Sequence, residues 1–460
     1  MSEPHRARVI ARSSLPAETD RPASSVRHVA VVLGLAAAVP SLLWPSSLGF
    51  LPSPSTVLTV LATVLAFGSA GKDALRLRFG LFDAALVFLL SARLFSEFVN
   101  AVELNHAVHS GIFTTWFFLW LASISARLVI KTKRDVRDFL FWLAVPAVGV
   151  AVLAILQMLR FPGVLDWILA NVSVGGLEAR VQAGRTDLRS TSTIGHWTAL
   201  GGYLAVAIAS FCAVLIMDRS AKRRGRSVFI FICIAILFAG EMTTLTFSTV
   251  GAAAAVLLVT FLKLKGNPTL VILAGAAGII GWQIFGSDIE GRLDQQSTVS
   301  RYTDESLRWL PSTIAYRVRI WENETVPTWL TRPLTGWGQQ TYDFSPDWPI
   351  RPKLLSWASP ESQWLAVLVR GGLVELFAFI LLLVAMFVVI KRSRAVLGSG
   401  ASPIFVVLVS LVVTFLINSP FSTNGVPQIL WSIIGVLTAA STIAVGEHSE
   451  SDSELDRGRA

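Results

Sequence analysis

Apolar runs of about 17 to 25 residues, bounded by charges, Pro or Gly, recur along the whole chain, and no other feature limits its fold so tightly. They fall at about 29–44, 56–71, 82–99, 111–126, 139–157, 193–217, 228–240, 250–262, 269–285, 364–390, 404–417 and 426–445, giving about twelve spans. Hydrocarbon offers no water to a peptide group, so such a run must satisfy its own backbone as a helix or close into a barrel. The alternation of a barrel strand is absent. With 53% hydrophobic and 15% charged residues, the 460-residue chain reads as an all-α polytopic membrane protein.

Lys and Arg set the expected orientation. One group of connections holds Lys72, Arg76 and Arg78, then Arg127, Lys131, Lys133, Arg134 and Arg137, then Arg219, Lys222, Arg223, Arg224 and Arg226, then Lys263 and Lys265, and finally Lys391, Arg392 and Arg394. The alternate short connections, 45–55, 100–110, 241–249 and 418–425, hold none. By the positive-inside rule the first group is cytoplasmic, as are both termini, and the long segments 158–192 and 286–360 are outside. Residues 1–28 read as a disordered cytoplasmic tail and 446–460 as a second. Loop bias of this kind accounts for most of the +9 net charge, so nucleic acid is not an expected partner. Cys212 and Cys233 fall inside apolar runs, so neither a disulfide framework nor a Cys-based metal site is expected. The predicted organisation is nine spans within 29–285, a large outer segment 286–360, and three spans within 361–445.

The segment 286–360 is polar, about 75 residues long, and dense in Arg and Trp. Ile314, Arg317, Trp321 and Trp329 have near-helical spacing interrupted by Pro327 and Pro333, which predicts two or three short helices followed by an irregular stretch. Arginine forks bind phosphate oxygens bidentately and keep their charge. Arg180, Arg185 and Arg189 in one outer loop, and Arg317 and Arg319 in the other, are therefore candidates for an anionic ligand, the alternative being lipid headgroups and salt bridges to Glu322 or Glu324. Within the runs, Arg93 and Glu97 stand at i and i+4 and either pair with each other or line a cavity. His196 and Glu361 open spans; a cap is the ordinary role for the acid and a structural one for the histidine. The turn from Glu241 to Thr249 is rich in hydroxyls. Tryptophans such as Trp321 either stack on sugars or form an interfacial belt.

Three separated blocks resemble the bacterial O-antigen ligase and polysaccharide polymerase family of membrane glycosyltransferases. They are Arg189-Ser190-Thr191-Ser192-Thr193-Ile194-Gly195-His196-Trp197; Tyr316-Arg317-Val318-Arg319-Ile320-Trp321 followed by Arg332-Pro333-Leu334-Thr335-Gly336-Trp337-Gly338; and Glu361-Ser362-Gln363-Trp364-Leu365 with Gly371-Gly372-Leu373. The resemblance covers about the second half of the chain. It implies a GT-C-like fold in the bacterial plasma (inner) membrane, a polyprenyl-diphosphate-linked glycan as donor, and a glycan or glycolipid acceptor hydroxyl. Neither a metal nor another cofactor is implied. Carried over, Arg189 or Arg185, with Arg317 and Arg319, would hold the donor diphosphate. Glu361 would stand where the family's ligases place a histidine, as the base of an inverting displacement. A second departure is Phe247-Ser248-Thr249, where many members carry Ser-Arg. His196, Trp321, Arg93 and Glu97 are further candidates for cavity or acceptor contacts. A transporter or flippase for a lipid-linked oligosaccharide is the rival reading, and an envelope scaffold a third.

Overall fold

The computed structural model describes residues 24–457 apart from 78, 106–107, 109–110, 185–187, 221–223, 265–267, 298–304, 308, 343–351, 357–358 and 423–424. Its α-helices are α1 (Ser24–Ala38), α2 (Pro54–Ala70), α3 (Leu81–Leu104), α4 (Gly111–Val129), α5 (Lys133–Met158), α6 (Val164–Asn171), α7 (Gly175–Gln182) and α8 (Trp197–Ser220). They continue as α9 (Arg224–Met242), α10 (Phe247–Lys263), α11 (Pro268–Ser297), α12 (Ser312–Ile320), α13 (Val326–Thr331), α14 (Gln363–Leu397), α15 (Ala401–Thr414) and α16 (Val426–Arg457). Among the described residues there is no strand beyond one isolated antiparallel bridge, Leu42 to Val172. Every apolar run thus coincides with a helix. Among the described residues, seven stretches are by length and composition long and apolar enough to cross a membrane, and one of these, Gln363–Thr414, contains both α14 and α15. Three further apolar helices, Ser24–Ala38, Phe113–Val129 and Phe247–Lys263, are shorter.

Helix α8 is the axis of the bundle. It is apolar on all sides and the window that qualifies it as a span is 94% buried, as a helix without a polar face must be. Helices α5, α9, α10, α15 and α16 surround it. Small residues let neighbours approach: a methyl group at Gly34 would stand 2.5 Å from the Leu143 carbonyl oxygen, and one at Gly240 would stand 2.7 Å from the Ala151 side chain. An aromatic chain runs from Phe82 and Trp116 through Trp431, Phe421, Phe415 and Phe379 to Trp364, joining α3, α4 and α16 to the start of α14. At the end of the bundle bearing the basic connections, Asp83 accepts two bonds of 2.9 Å from Arg127. Asp218, fully buried at that end, lies 3.5 Å from Arg137 and 3.6 Å from Arg226.

Three boundaries differ from the sequence expectation. Helix α11 runs eleven residues past Gly286, to Ser297, because nothing in Ser287–Ser297 breaks a helix. The 158–192 segment contains α6 and α7 and is pinned to the α1–α2 connection by Leu43 N–H to Asn171 and Ser173 N–H to Ser41. At the C-terminus α16 continues through Arg457, so most of the expected 446–460 tail is helix; most of the 1–28 tail lies outside the described residues.

Candidate functional site

The predicted short helices of the large segment form one rod. Between α12 and α13 the turn Trp321–Thr325 is a π-helix, with Val326 N–H bonded five residues back to the Trp321 carbonyl. Pro327 therefore does not interrupt the helix as its sequence position implies: its missing N–H falls where the i→i−4 ladder is already released. One side of the rod clamps the chain where it returns to the bundle. Arg317 Nη2 donates to Glu361 Oε2 at 3.3 Å and its Nη1 to the Thr313 carbonyl at 3.2 Å, while one turn on, Trp321 Nε1 donates to the Pro360 carbonyl at 2.6 Å. Arg317 and Trp321, at i and i+4, thus hold Pro360 and Glu361 from the same face.

Glu361 is not a helix cap. The N-cap of α14 is Ser362, whose side chain makes no capping bond, and Glu361 has a left-handed backbone with φ of 52°. Its carboxylate side chain is 37% exposed against 18% for Arg317. A non-glycine residue in this conformation at the mouth of a bundle is a strained, presented side chain. Tyr316, which the sequence reading passed over, has its hydroxyl pushed up to about 12 by burial and then by the carboxylates of Glu361 and Glu324, so it stays protonated beside them. Arg319 is exposed on the same helix.

The second arginine group is held differently. Arg189 is buried and donates from Nε to the Thr244 carbonyl at 2.9 Å, and from Nη2 to Leu245 O at 3.3 Å and Thr246 Oγ1 at 2.5 Å, shaping the hydroxyl-rich turn between α9 and α10. Arg189 and Arg180 each place the guanidinium carbon 4.8 Å from the Trp197 ring. Arg185 lies outside the described residues. His196, stacked on Trp197 with ring centroids 4.5 Å apart, is lowered from 6.5 to about 4 by burial first and then by Arg189 and Arg180. It is neutral near pH 7, and Nδ1 accepts the Thr198 N–H at 3.3 Å, which places the proton on Nε2. A cavity of about 610 Å³ opens beside Arg189, with Gln157, Arg160, Phe161 and Leu165 in its wall. The turn reaches the start of α14 by bonds: Asn418 Nδ2 donates to Ser248 Oγ at 3.0 Å, and the Asn418 carbonyl accepts Gln363 N–H at 3.0 Å. Glu241, at the base of the turn, is fully buried, and neither carboxyl oxygen has a hydrogen-bond partner among the described residues.

Neither protein-family models nor curated proteins match this chain.

Behind Glu361 the entering helix is broken. Gly372 has φ of 63° and ψ of −160°, a region open only to glycine, and splits α14 into Gln363–Gly371 and a long remainder. The freed peptide groups are taken by the Pro333–Gly338 stretch. Leu373 and Val374 N–H donate to the Pro333 and Leu334 carbonyls, while Trp337 and Gly338 N–H donate to Val369 and Arg370. Ser96 also bonds the Thr335 carbonyl. Arg93 and Glu97 lie against this break. Arg93 Nε donates to Glu375 at 2.7 Å, Glu97 accepts the Gln339 N–H at 2.9 Å, and Gln339 Nε2 donates to the other Glu375 oxygen at 2.6 Å. Arg93 also lines a cavity, and its ion-pair partner at 2.7 Å is Glu375 on α14. Glu375, Arg370 and Gln339 were missed, although two ionisable residues inside the apolar run 364–390 were a visible signal.

Proposed function

We propose that this protein is a membrane glycosyltransferase that passes a glycan from a polyprenyl-diphosphate-linked donor to an acceptor hydroxyl at the outer face of the bacterial plasma membrane. In this reading twelve of the sixteen helices cross the bilayer, α1–α5, α8–α11 and α14–α16, and the rod α12–α13 lies over the outer surface. The observation that carries it is the pairing of Arg317 with Glu361, residues 44 positions apart, at the point where the large segment re-enters the bundle. A presented carboxylate takes the proton of the attacking hydroxyl, and a guanidinium next to it stabilises charge developing on the leaving diphosphate. Arg189, bonded to the turn that reaches the start of α14, and Arg180 on the same Trp197 ring extend the cationic surface for the same group.

A transporter of the same lipid-linked substrate is the second reading, favoured by the discontinuous α14 with buried charges at its break, since secondary transporters build their sites on broken helices near the midplane. Depth favours the first reading. From Leu373 to Lys391 the helix rises roughly 27 Å, nearly the whole hydrocarbon thickness of about 30 Å, which supports a break near the outer boundary over one at the centre. The experiment is a strain lacking the protein, complemented with wild type, Glu361→Gln or Arg317→Ala, scored for glycan size and lipid-linked intermediates in each leaflet. Accumulation of outer-leaflet intermediates, reversed by wild type and by neither variant, is the expected result. Accumulation confined to the inner leaflet would establish the transporter, and full rescue by both variants would remove the site.

A further inference from the structure

The structure assigns a phosphoryl-group site to the chamber at the break of α14, distinct from the Arg317–Glu361 pair. The chamber has a volume of about 190 Å³ and is walled by Arg93, Arg370, Gln339, Gln363, Thr115 and Trp116, with Phe379 and Phe421 behind. Its charges are already apportioned in an informative way. Glu375 has both oxygens bonded, one to Arg93 and one to Gln339, and Glu97 takes the Gln339 backbone N–H. Arg370 is the exception. Its buried Nε has no hydrogen-bond partner among the described residues; the guanidinium stands 5.6 Å from the Tyr342 ring and within electrostatic reach of Glu375, whose two oxygens are already bonded to Arg93 and Gln339.

A guanidinium presents five N–H donors in a fixed fork and stays charged, so leaving its buried Nε–H unbonded is costly; an oxyanion with several acceptors matches the fork. Arg93, its charge shared with Glu375, and the side-chain amides of Gln339 and Gln363 stand in the same wall and add N–H donors. The volume suits one or two phosphoryl groups and excludes a sugar chain. Thr115 also lines a second cavity of about 560 Å³, where Leu33, Ala36, Phe118 and Leu119 supply apolar wall and Thr56 and Thr59 hydroxyls. An anion chamber that adjoins an apolar cavity fits the phosphorylated head of an amphiphile; a free phosphate or diphosphate would use the same donors.

The test uses the full-length protein in lipid nanodiscs and measures binding of inorganic diphosphate and of farnesyl diphosphate by calorimetry. Wild type is expected to bind both, the lipid at least tenfold more tightly; equal affinities would identify the ligand as the free anion. Arg370→Gln is expected to weaken both at least tenfold, while Lys391→Gln, at the basic end of α14, binds as wild type does, and Thr115→Trp weakens the lipid alone. Because Arg370→Gln could perturb the fold, its unliganded unfolding temperature is measured beside Arg370→Lys, which keeps the charge and is expected to recover part of the affinity. No binding by wild type, or unchanged binding by a folded Arg370→Gln, would overturn the assignment. Glycan transfer is read separately, so failure of Glu361 as a base leaves this binding result standing, and the reverse holds too.

Discussion

At the scale of single residues, Glu361 carries the sharpest stability argument. Its left-handed backbone costs an L-residue about 1–2 kcal/mol relative to glycine, whereas its partly exposed pair with Arg317 returns at most about 1 kcal/mol. Glu361→Gly is therefore expected to unfold within about 1 kcal/mol of wild type, or to be slightly more stable, while glycan transfer is lost. A large fall in its unfolding temperature would mean that the residue is structural. His196 gives a second test, in pH. Its folded value is lowered to about 4 from 6.5, so the unfolded chain binds the extra proton first as pH falls. Stability supplied by the neutral imidazole is complete above pH 6.5 and is lost progressively down to about pH 4. His196→Asn should flatten that part of the pH dependence of thermal unfolding; an unchanged slope would show that other groups set it. Both positions stood out in the sequence as span-opening residues, but their partners did not. The contact between Arg317 and Glu361 depends on where a helix 44 residues away is laid, and the clasp of Arg189 on Thr244 to Thr246 depends on a turn from a different pair of spans.

At the scale of elements, apolar runs were legible because length and composition alone decide that a run buries its backbone as a helix. The break in α14 was not, because glycine is tolerated inside membrane helices and the run 364–390 keeps its hydropathy straight through Gly371-Gly372. What reveals it is a partner from elsewhere: Pro333–Gly338 supplies carbonyls and amides to the gap, and Gly336, with φ of 63°, passes so close that an added methyl would stand 2.6 Å from the Arg370 carbonyl. At Gly372 a methyl would collide with the Leu334 carbonyl, on top of a backbone conformation closed to other residues. Gly372→Ala should therefore destabilise the protein by roughly 3 kcal/mol, combining backbone strain and collision. Gly68→Ala, on α2 with no atom within 4 Å of the added methyl, should be neutral or slightly stabilising. Thermal unfolding of the two variants in one detergent checks the contrast, and equal behaviour would mean that the break is not a fixed element.

For the whole molecule, sidedness is the property on which the proposed chemistry depends, since the Arg317–Glu361 pair must meet donor and acceptor outside the cell. The bundle has a basic end, holding Arg137 and Arg226 on Asp218, and an opposite end with the rod α12–α13 and the α6–α7 segment. Potential and lipid charge favour the basic end inside. The two native cysteines make this directly measurable: Cys212 and Cys233 are both buried, so a polar maleimide should leave the wild-type protein nearly unlabelled. Ser46, in the α1–α2 connection, and Ser399, between α14 and α15, are both exposed. Nine of the proposed spans separate them, an odd number, so the two positions must report opposite sides. Ser46→Cys is expected to label in intact cells, and Ser399→Cys only after the membrane is opened. The reverse pattern would turn the rod and Glu361 to the cytoplasm, where the proposed acceptor is absent. Labelling of both from one side would mean that an even number of helices crosses between them, and the twelve-span arrangement would fall.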